Sequence, residues 1–224
     1  MYTPLSILNR AKSYFALNGD SRSKAPIKAW HTEGHPKILV LLGGNCSGKT
    51  LLTKIAQQLA LEQVIECLPV ASMYMRTQGG IHRAFMYNGS ESDSSTGALT
   101  VSCFLSGLST SRSRSRKHAV LLDEPEIGCS EELQMGIGAH LAEYLKNLPD
   151  LCEMVILTTH SRRILAQVAP LKPTIISLGS KFESIEQWLN RNVESVDPTG
   201  IGAKSIDLFR AVHAIVKKNK GNRK

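Results

Sequence analysis

Apolar and polar residues follow one another along the chain in a pattern that predicts strands and helices in turn. Short apolar runs of strand length lie at residues 38–42, 119–122, 154–158 and 174–178. Apolar residues recur every three or four positions, the spacing of an amphipathic helix, within residues 51–60, 133–145, 162–169, 182–189 and 204–217. Strands that alternate with helices form parallel sheets, so the pattern predicts an α/β fold in which helices cover both faces of a mostly parallel sheet.

The remaining segments carry weaker patterns. Apolar positions between Ile7 and Phe15 predict a short helix, and one strand each is expected within residues 26–36 and 64–74. A polar connector at residues 88–97 leads into a segment with helical spacing, which ends in a run of serine and arginine at 109–117.

The composition is that of one ordinary globular unit. The chain has 224 residues, 42% of them hydrophobic and 21% charged, and its longest apolar runs are too short to insert into a membrane. We divide it into an N-terminal segment packed on the core, the core, and a C-terminal helix with a basic tail, at residues 1–37, 38–200 and 201–224. The five cysteines are scattered, without a C-x-x-C pair. Scattered cysteines are typical of free thiols in a reducing compartment, so a cytoplasmic location is expected.

Positive charge is concentrated in two runs. The formal net charge is +8, and the runs lie at residues 112–117 and 217–224. Such runs either contact a polyanion such as nucleic acid or stay solvated, and the sequence leaves both interpretations open. Aromatic residues make up only 5% of the chain, which argues against sequence-specific binding to single strands but leaves contact with duplex phosphates open.

A glycine-rich loop joins the first apolar run to the first long helix. Its sequence, GGNCSGKT, has the spacing G-x-x-x-x-G-K-[ST] of a phosphate-binding loop, or P-loop. Glycines let backbone amides converge on phosphate oxygens, and the positive end of the helix dipole points at the same place. Lys49 is expected to bridge the β- and γ-phosphates of ATP, and the Thr50 hydroxyl to bind Mg²⁺. The predicted nucleotide-binding residues here are Gly43, Gly44, Asn45, Cys46, Ser47, Gly48, Lys49, Thr50 and Leu51. The alternative is a glycine-rich turn that binds nothing.

Two other strand ends supply candidates for catalysis. Asp123 and Glu124 follow the second apolar run, and His160 follows the third. Parallel sheets bind ligands at the carboxyl ends of their strands, where Asp123 can orient Mg²⁺ and Glu124 can deprotonate an attacking water. His160 can donate to the γ-phosphate, although a lone histidine is more often structural. Gln78 could sense the γ-phosphate or Mg²⁺, and a plain loop glutamine is the commoner interpretation.

Three motifs, GGNCSGKT, AVLLDEPEIG and VILTTHS, resemble those of the nucleotide-binding domain of ABC-type ATPases. The sequence Asp-Glu-Pro-Glu-Ile-Gly resembles the corresponding motif of the SMC-like, RecF-like and OLD-like branch more than that of transporter subunits. Members of this branch are also called AAA family ATPases. The resemblance implies that Asp123 is the Walker B acid, Glu124 the catalytic base and His160 the switch histidine. It also implies a D-loop at 127–130 and a head-to-tail homodimer that sandwiches two ATP molecules.

The chain departs from that family at the signature loop, which caps the γ-phosphate bound to the partner protomer. The familiar Leu-Ser-Gly-Gly-Gln is absent. We prefer Ser95 and Gly97, which precede a predicted helix, over Ser106 and Gly107, which lie in or near the end of that helix. The chain also lacks a coiled-coil insertion between its Walker motifs, and the N-terminal β-subdomain must be reduced. Cys46 inside the P-loop is unusual, and its thiolate is expected to be favoured by Lys49.

The predicted function is that of a soluble ATPase that uses ATP and Mg²⁺ as an ATP-driven homodimerisation switch, in a process involving nucleic acid or a partner effector protein. One alternative is an ATP-gated scaffold or regulatory subunit with little turnover. The ATPase subunit of a transporter and an AAA+ motor are further alternatives, each with weaker support in the sequence.

Overall fold

The computed structural model of the chain describes residues 2–16, 29–70, 95–179 and 182–192, with scattered positions between 200 and 210. These scattered positions are helical. Those from 205 onward fall within the helix predicted at 204–217, whereas 200, 202 and 203 precede it. Gln78, the connector at 88–94 and the basic tail at 217–224 lie outside the described residues.

Helices and strands alternate over most of the described chain. The helices are α1 (Pro4–Ala16), α2 (Lys49–Glu62), α3 (Thr96–Ser113), α4 (Glu131–Lys146), α5 (Arg162–Val168) and α6 (Ile185–Leu189). The strands are β1 (Ala29–Thr32), β2 (His35–Gly43), β3 (Glu66–Pro69), β4 (His118–Asp123), β5 (Cys152–Thr158) and β6 (Pro173–Leu178).

The described strands form one sheet in the order β1-β6-β2-β5-β4-β3. Every pairing is parallel except that of β1, which runs antiparallel to β6 at the edge. The prediction of an α/β fold with a mostly parallel sheet is therefore confirmed, and the strand, loop and helix around GGNCSGKT give it the form of a P-loop NTPase fold. Before the P-loop strand, β1 is the one strand within the part of the chain that the structure describes.

Both faces of the sheet are buried, which explains why its strands read as continuous apolar runs. Successive side chains of a strand point to opposite faces, so each strand serves two cores. The core under α1 and α2 includes Ile7, Leu39, Leu41, Leu52, Leu121 and Ile156. The core under α3, α4, α5 and α6 includes Leu42, Phe104, Leu122, Leu141, Leu157 and Trp188.

Local capping sets the ends of the shorter helices. The helix predicted from residue 182 begins only at Ile185, because the Ser184 hydroxyl accepts a hydrogen bond from the Gln187 amide at 3.1 Å and caps it there. The helix predicted over 162–169 gives way after Val168 to a short 3₁₀ turn that contains Pro170, a residue with no amide to continue the helix. Among the described residues, none of the helices combines the length and the apolar character that crossing a membrane requires.

Candidate functional site

The P-loop joins the carboxyl end of β2 to the amino end of α2. Gly43 and Gly48 have φ values of 154° and 101°, in the region that favours glycine. A Cβ at Gly43 would also lie 2.4 Å from the Ser47 hydroxyl oxygen, so a side chain cannot fit there. Cys46, with a φ of 59°, adopts the left-handed conformation without being a glycine. Together these conformations fold the loop back on itself in front of the helix.

The Lys49 side chain is folded into the P-loop. It is only 7% exposed, and its Nζ donates to the carbonyl oxygens of Gly43 at 3.1 Å and Gly44 at 2.9 Å. Burial lowers the pKa of Lys49, while the nearby carboxylates of Glu124 and Asp123 act in the opposite direction. The result is a desolvated positive charge in front of a helix N-terminus, an environment suited to an anion.

His160 occupies a position that follows from the strand order. Because β5 lies between β2 and β4, His160, the second residue after β5, lies between the P-loop and the Asp123-Glu124 pair. His160 Nε2 lies 3.1 Å from Lys49 Nζ and 3.2 Å from Glu124 Oε1. One ring nitrogen cannot accept from the ammonium and donate to the carboxylate at once, so the tautomer decides which contact is a hydrogen bond.

Glu124 is held in an ionised and conformationally strained state. Its hydrogen bond with His160 is the main cause that holds the pKa of this carboxyl below its ordinary value, against the opposing effect of burial. Its backbone has a φ of 52°, in the left-handed region that a glutamate rarely adopts. Such strain persists only where the surrounding structure fixes it, and it concentrates at functional sites.

Thr158 fixes the end of β4 to β5 and was not anticipated from the sequence. Its hydroxyl donates to Asp123 Oδ1 and accepts from the Glu124 amide at 3.2 Å. The same amide donates to the Thr158 carbonyl oxygen at 2.9 Å. A threonine at the end of an apolar strand carries no signal of this role, because the contact depends on which strand lies beside it.

Glu126 is a second residue that the sequence prediction missed. Its Oε1 accepts from the His160 backbone amide at 2.6 Å. Burial raises the pKa of Glu126, and its Oε2 is a buried atom that has no hydrogen-bond partner within the described ranges of the chain. The carboxylate was visible in the sequence as part of Asp-Glu-Pro-Glu, but the turn that directs it toward His160 was not.

The preferred signature residues lie at the N-terminus of α3. Ser95 caps the helix, since its hydroxyl accepts from the Ala98 amide at 3.3 Å. Gly97 packs on the turn after β4, where a Cβ would lie 2.8 Å from the Gly128 carbonyl oxygen. The structure thus places both residues beside the segment 127–130 of the same protomer.

The other signature candidate, Ser106 with Gly107, falls in the middle of α3. A Cβ at Gly107 would lie 2.5 Å from both methyl carbons of Val70, so this glycine permits close packing of the helix. A mid-helix position leaves its amides inside the helical hydrogen-bond ladder, where they cannot bind phosphate.

The predicted Mg²⁺ ligands within the described residues are Thr50 and Asp123. Thr50 is exposed at the start of α2, and Asp123 is half-buried at the end of β4. Within the part of the chain that the structure describes, His, Cys, Asp and Glu form no group of three or more suited to a metal ion. Mg²⁺ in phosphate-binding sites takes few protein ligands and relies on phosphate oxygens and water, so this donor set fits Mg²⁺ bound together with a nucleotide.

The first basic run lies before the start of β4, at the end of this strand that is opposite to Asp123. Three of its members make contacts within the chain. Arg114 pairs with Glu66 at 2.8 Å, and Lys117 pairs with Glu153 at 3.0 Å. The Arg112 guanidinium lies 5.5 Å from the centre of the Tyr144 ring. These contacts give the run an intramolecular role that the sequence did not reveal.

Comparisons with known proteins give little further information. No protein-family model matches the sequence, and no curated protein matches it. Among solved structures, the crystal structure of Cdc6p from Pyrobaculum aerophilum is 14% identical with a TM-score of 0.36, covering 72% of this chain and 39% of that chain. The structure of the Aeropyrum pernix Orc1 protein in complex with DNA is 13% identical with a TM-score of 0.38, covering 94% of this chain and 56% of that chain. The chain thus spans well under two thirds of the length of either structure.

Proposed function

We propose that the protein binds ATP together with Mg²⁺ and hydrolyses it. The observation that carries this proposal is the convergence of three side chains beside the P-loop. His160 Nε2 lies 3.1 Å from Lys49 Nζ and 3.2 Å from Glu124 Oε1. A lysine that contacts the phosphates and a residue that orients or deprotonates the attacking water are recurring parts of phosphoryl-transfer sites.

The P-loop fits a polyphosphate on two features of its own structure. The Ser47 hydroxyl oxygen is buried and has no hydrogen-bond partner among the described residues, and the Lys49 ammonium is desolvated against backbone carbonyls. In this proposal the loop residues from Gly43 to Leu51 hold the nucleotide, and Thr50 and Asp123 hold Mg²⁺. The bound nucleotide supplies a terminal phosphoryl group that water can attack, and the metal offsets its negative charge.

Glu124 is the proposed general base. Its carboxylate is ionised near neutral pH and can therefore accept a proton from water. General-base assistance of this kind accelerates a reaction by about 10²–10⁴-fold. His160, with its ring 3.2 Å from the base, orients the carboxylate and can donate a hydrogen bond at the reacting centre.

The finer proposal is an ABC-like, ATP-driven homodimer. It is supported by the three motifs of the sequence and by Ser95, which is exposed at the N-terminus of an 18-residue helix beside segment 127–130. The test is the mass in solution of Glu124→Gln, with and without Mg-ATP, because a blocked base should trap the closed state. A shift from monomer to dimer that Ser95→Arg abolishes would support the proposal. A mass that ignores ATP would contradict it.

A scaffold with little turnover is the second candidate. It is favoured by Lys49, whose ammonium is already bonded to two loop carbonyls, and by Ala98, which stands where a polar residue usually follows the signature. If wild-type protein and Glu124→Gln release phosphate equally slowly while both bind ATP, the scaffold replaces the enzyme.

Contact with DNA or a partner effector protein belongs to the same proposal. Since three members of the first basic run make internal contacts, the tail at 217–224 is the segment we propose for polyanions. Binding of a short duplex at several salt concentrations tests this, because each phosphate neutralised adds about −0.9 to the slope of log affinity against log salt. Deletion of the tail should flatten that slope. The cytoplasmic location, the three-part division of the chain and the role of Gln78 stay predictions.

A further inference from the structure

We propose that Glu126 is a positioning residue, which clamps the backbone of His160 and so holds the His160 ring between Lys49 and Glu124. This inference rests on the proposed function, because it concerns the geometry of the same site. It adds a carboxylate that acts through another residue and does not touch the reacting atoms.

The contact itself is specific. Glu126 Oε1 lies 2.6 Å from the His160 amide nitrogen. His160 comes after the end of β5, so its amide has left the ladder of the sheet. A backbone amide in such a place needs a partner, and a carboxylate acceptor makes a shorter and stronger bond than a neutral one.

The turn that carries Glu126 is itself fixed. The Ile127 amide donates to the Glu124 carbonyl oxygen at 3.2 Å, and the Cys129 amide donates to the Glu126 carbonyl oxygen at 2.9 Å. The buried Pro125 removes one backbone freedom at the start of the turn. The carboxylate therefore projects from a rigid support, which a clamp requires.

The far side of His160 is secured independently. The Ser161 hydroxyl accepts from the Ile164 amide at 3.1 Å, which caps α5, and donates to Gln134 Oε1 at 2.8 Å. Gln134 Nε2 in turn donates to the Cys129 carbonyl oxygen at 2.9 Å. The loop after β5 is thus tied on both sides of His160 to the segment after β4, and Glu126 supplies the tie that reaches the histidine itself.

A purely structural role does not explain a carboxylate at this position. Burial raises the pKa of Glu126, and its buried Oε2 has no hydrogen-bond partner in the part of the chain that the structure describes. A buried, incompletely bonded carboxylate is costly, and an apolar residue would fill the same space at lower cost. This cost in free energy is explained if Glu126 Oε1 is needed to hold His160 in place.

The test uses substitutions of Glu126 that change either the length of its side chain or its charge. Glu126→Gln keeps the length of the side chain and an acceptor oxygen but loses the charge, whereas Glu126→Asp keeps the charge but is one methylene too short. Glu126→Ala removes both properties. Glu131→Gln, in an exposed carboxylate paired with Arg163 at 2.8 Å, is the matched control.

The first readout is the NMR signal of the His160 ring in nucleotide-free protein, assigned by its loss in His160→Ala. We expect the Gln variant and the control to keep the wild-type ring signal, and the Asp and Ala variants to shift it. The second readout is ATP turnover, for which Asp and Ala should lower kcat by about 10- to 100-fold with KM for ATP within about twofold of wild type.

The outcomes separate the clamp from the proposed function. If wild-type protein does not hydrolyse ATP, the proposed function fails, and the ring signals still decide whether Glu126 positions His160. If the Asp and Ala variants leave the ring signal unchanged, or if Gln disturbs it as much as Ala, the clamp is wrong.

A measurement on the wild type covers the case in which the Asp and Ala variants do not fold. The His160 amide proton, bonded to a carboxylate, should resonate downfield and exchange slowly with solvent, and Glu126→Gln should move it upfield. An ordinary, rapidly exchanging amide in wild-type protein would overturn the proposal.

Discussion

The imidazole Nε2 of His160 lies 3.2 Å from the carboxylate Oε1 of Glu124. The two residues follow neighbouring parallel strands, β5 and β4, so the contact is a direct consequence of the strand order. Since the same nitrogen lies 3.1 Å from Lys49 Nζ, the histidine links the proposed phosphate-binding cation to the proposed base. Because one ring nitrogen can make only one of these two contacts as a hydrogen bond, Lys49 and Glu124 compete for it.

Replacement of the proposed base should abolish turnover but not binding. We expect Glu124→Gln to lower kcat by about 10²–10⁴-fold, because the amide cannot accept the proton from water. ATP affinity should change little, and phosphate release together with calorimetric titration measures both quantities. Glu143→Gln, in an exposed residue of α4, should behave like wild type. Full turnover in Glu124→Gln would remove this residue from the mechanism.

Lys49 should be required for nucleotide binding. We expect Lys49→Ala to weaken ATP affinity about 100-fold, since charge-assisted hydrogen bonds contribute about 1.5–3 kcal/mol each. Lys54 is exposed on the same helix and provides the control, Lys54→Ala, with the same loss of charge. Equal affinities of the two variants, measured by calorimetry, would mean that the P-loop does not bind through its lysine.

The contact between α3 and the turn after β4 should be sensitive to one methyl group. A Cβ at Gly97 would lie 2.8 Å from the Gly128 carbonyl oxygen, next to the bond that Thr100 Oγ1 donates to the Ile127 carbonyl oxygen at 2.7 Å. Gly97→Ala should therefore lower the free energy of unfolding by about 1–3 kcal/mol. Urea titration gives the value.

Gly136 supplies the opposite expectation for the same substitution. It lies exposed within α4, and among the described residues nothing lies within 4 Å of the position its Cβ would take. Gly136→Ala should raise the free energy of unfolding by about 0.5–1 kcal/mol, because alanine loses less backbone entropy in a helix. Like effects at both glycines would show that the α3 contact is looser than the structure indicates.

Thiol reactivity should distinguish the P-loop cysteine from the strand cysteine. Burial raises the pKa of Cys67 to about 11, so only about one thiol in a thousand is ionised at pH 8. Its alkylation by iodoacetamide should be slow there and should accelerate about tenfold per pH unit up to about pH 11. Mg-ATP bound in the P-loop should protect Cys46 from alkylation. Peptide mass mapping measures both sites, and rapid labelling of Cys67 at pH 8 would contradict the prediction.

A buried polar network at the amino end of β4 should affect the stability of the protein but not its nucleotide binding. The Ser111 hydroxyl contacts His118 Nε2 at 2.7 Å and the Tyr144 hydroxyl at 2.5 Å, and all three residues are buried. Ser111→Ala leaves these partners short of a bond, which should cost about 1–3 kcal/mol of unfolding free energy.

The control for this network is Ser113→Ala, in an exposed serine of the same helix, which should change stability by less than about 0.5 kcal/mol. ATP affinity should be unchanged in both variants, because the network lies far along the strands from the P-loop. A loss of ATP affinity in Ser111→Ala would show that the polar network at the amino end of β4 is coupled to the P-loop.

The sequence by itself determined the fold class and the elements that supply the site. Strands buried on both faces must be apolar throughout, and a P-loop needs glycines, a lysine and a hydroxyl at fixed spacing, so both leave local patterns. Asp123, Glu124 and His160 could be named because each lies within two residues of the end of an apolar run.

The tertiary structure decided what those residues contact. Only the strand order, with β5 between β2 and β4, brings His160 Nε2 to both Lys49 and Glu124. The roles of Thr158, of Glu126 and of Gly97 depend on neighbours distant in the chain, and a local pattern carries no information about such neighbours. The direction of a side chain at a strand end is set by the turn and the strand beside it, and for that physical reason the sequence could name the candidates but not their partners.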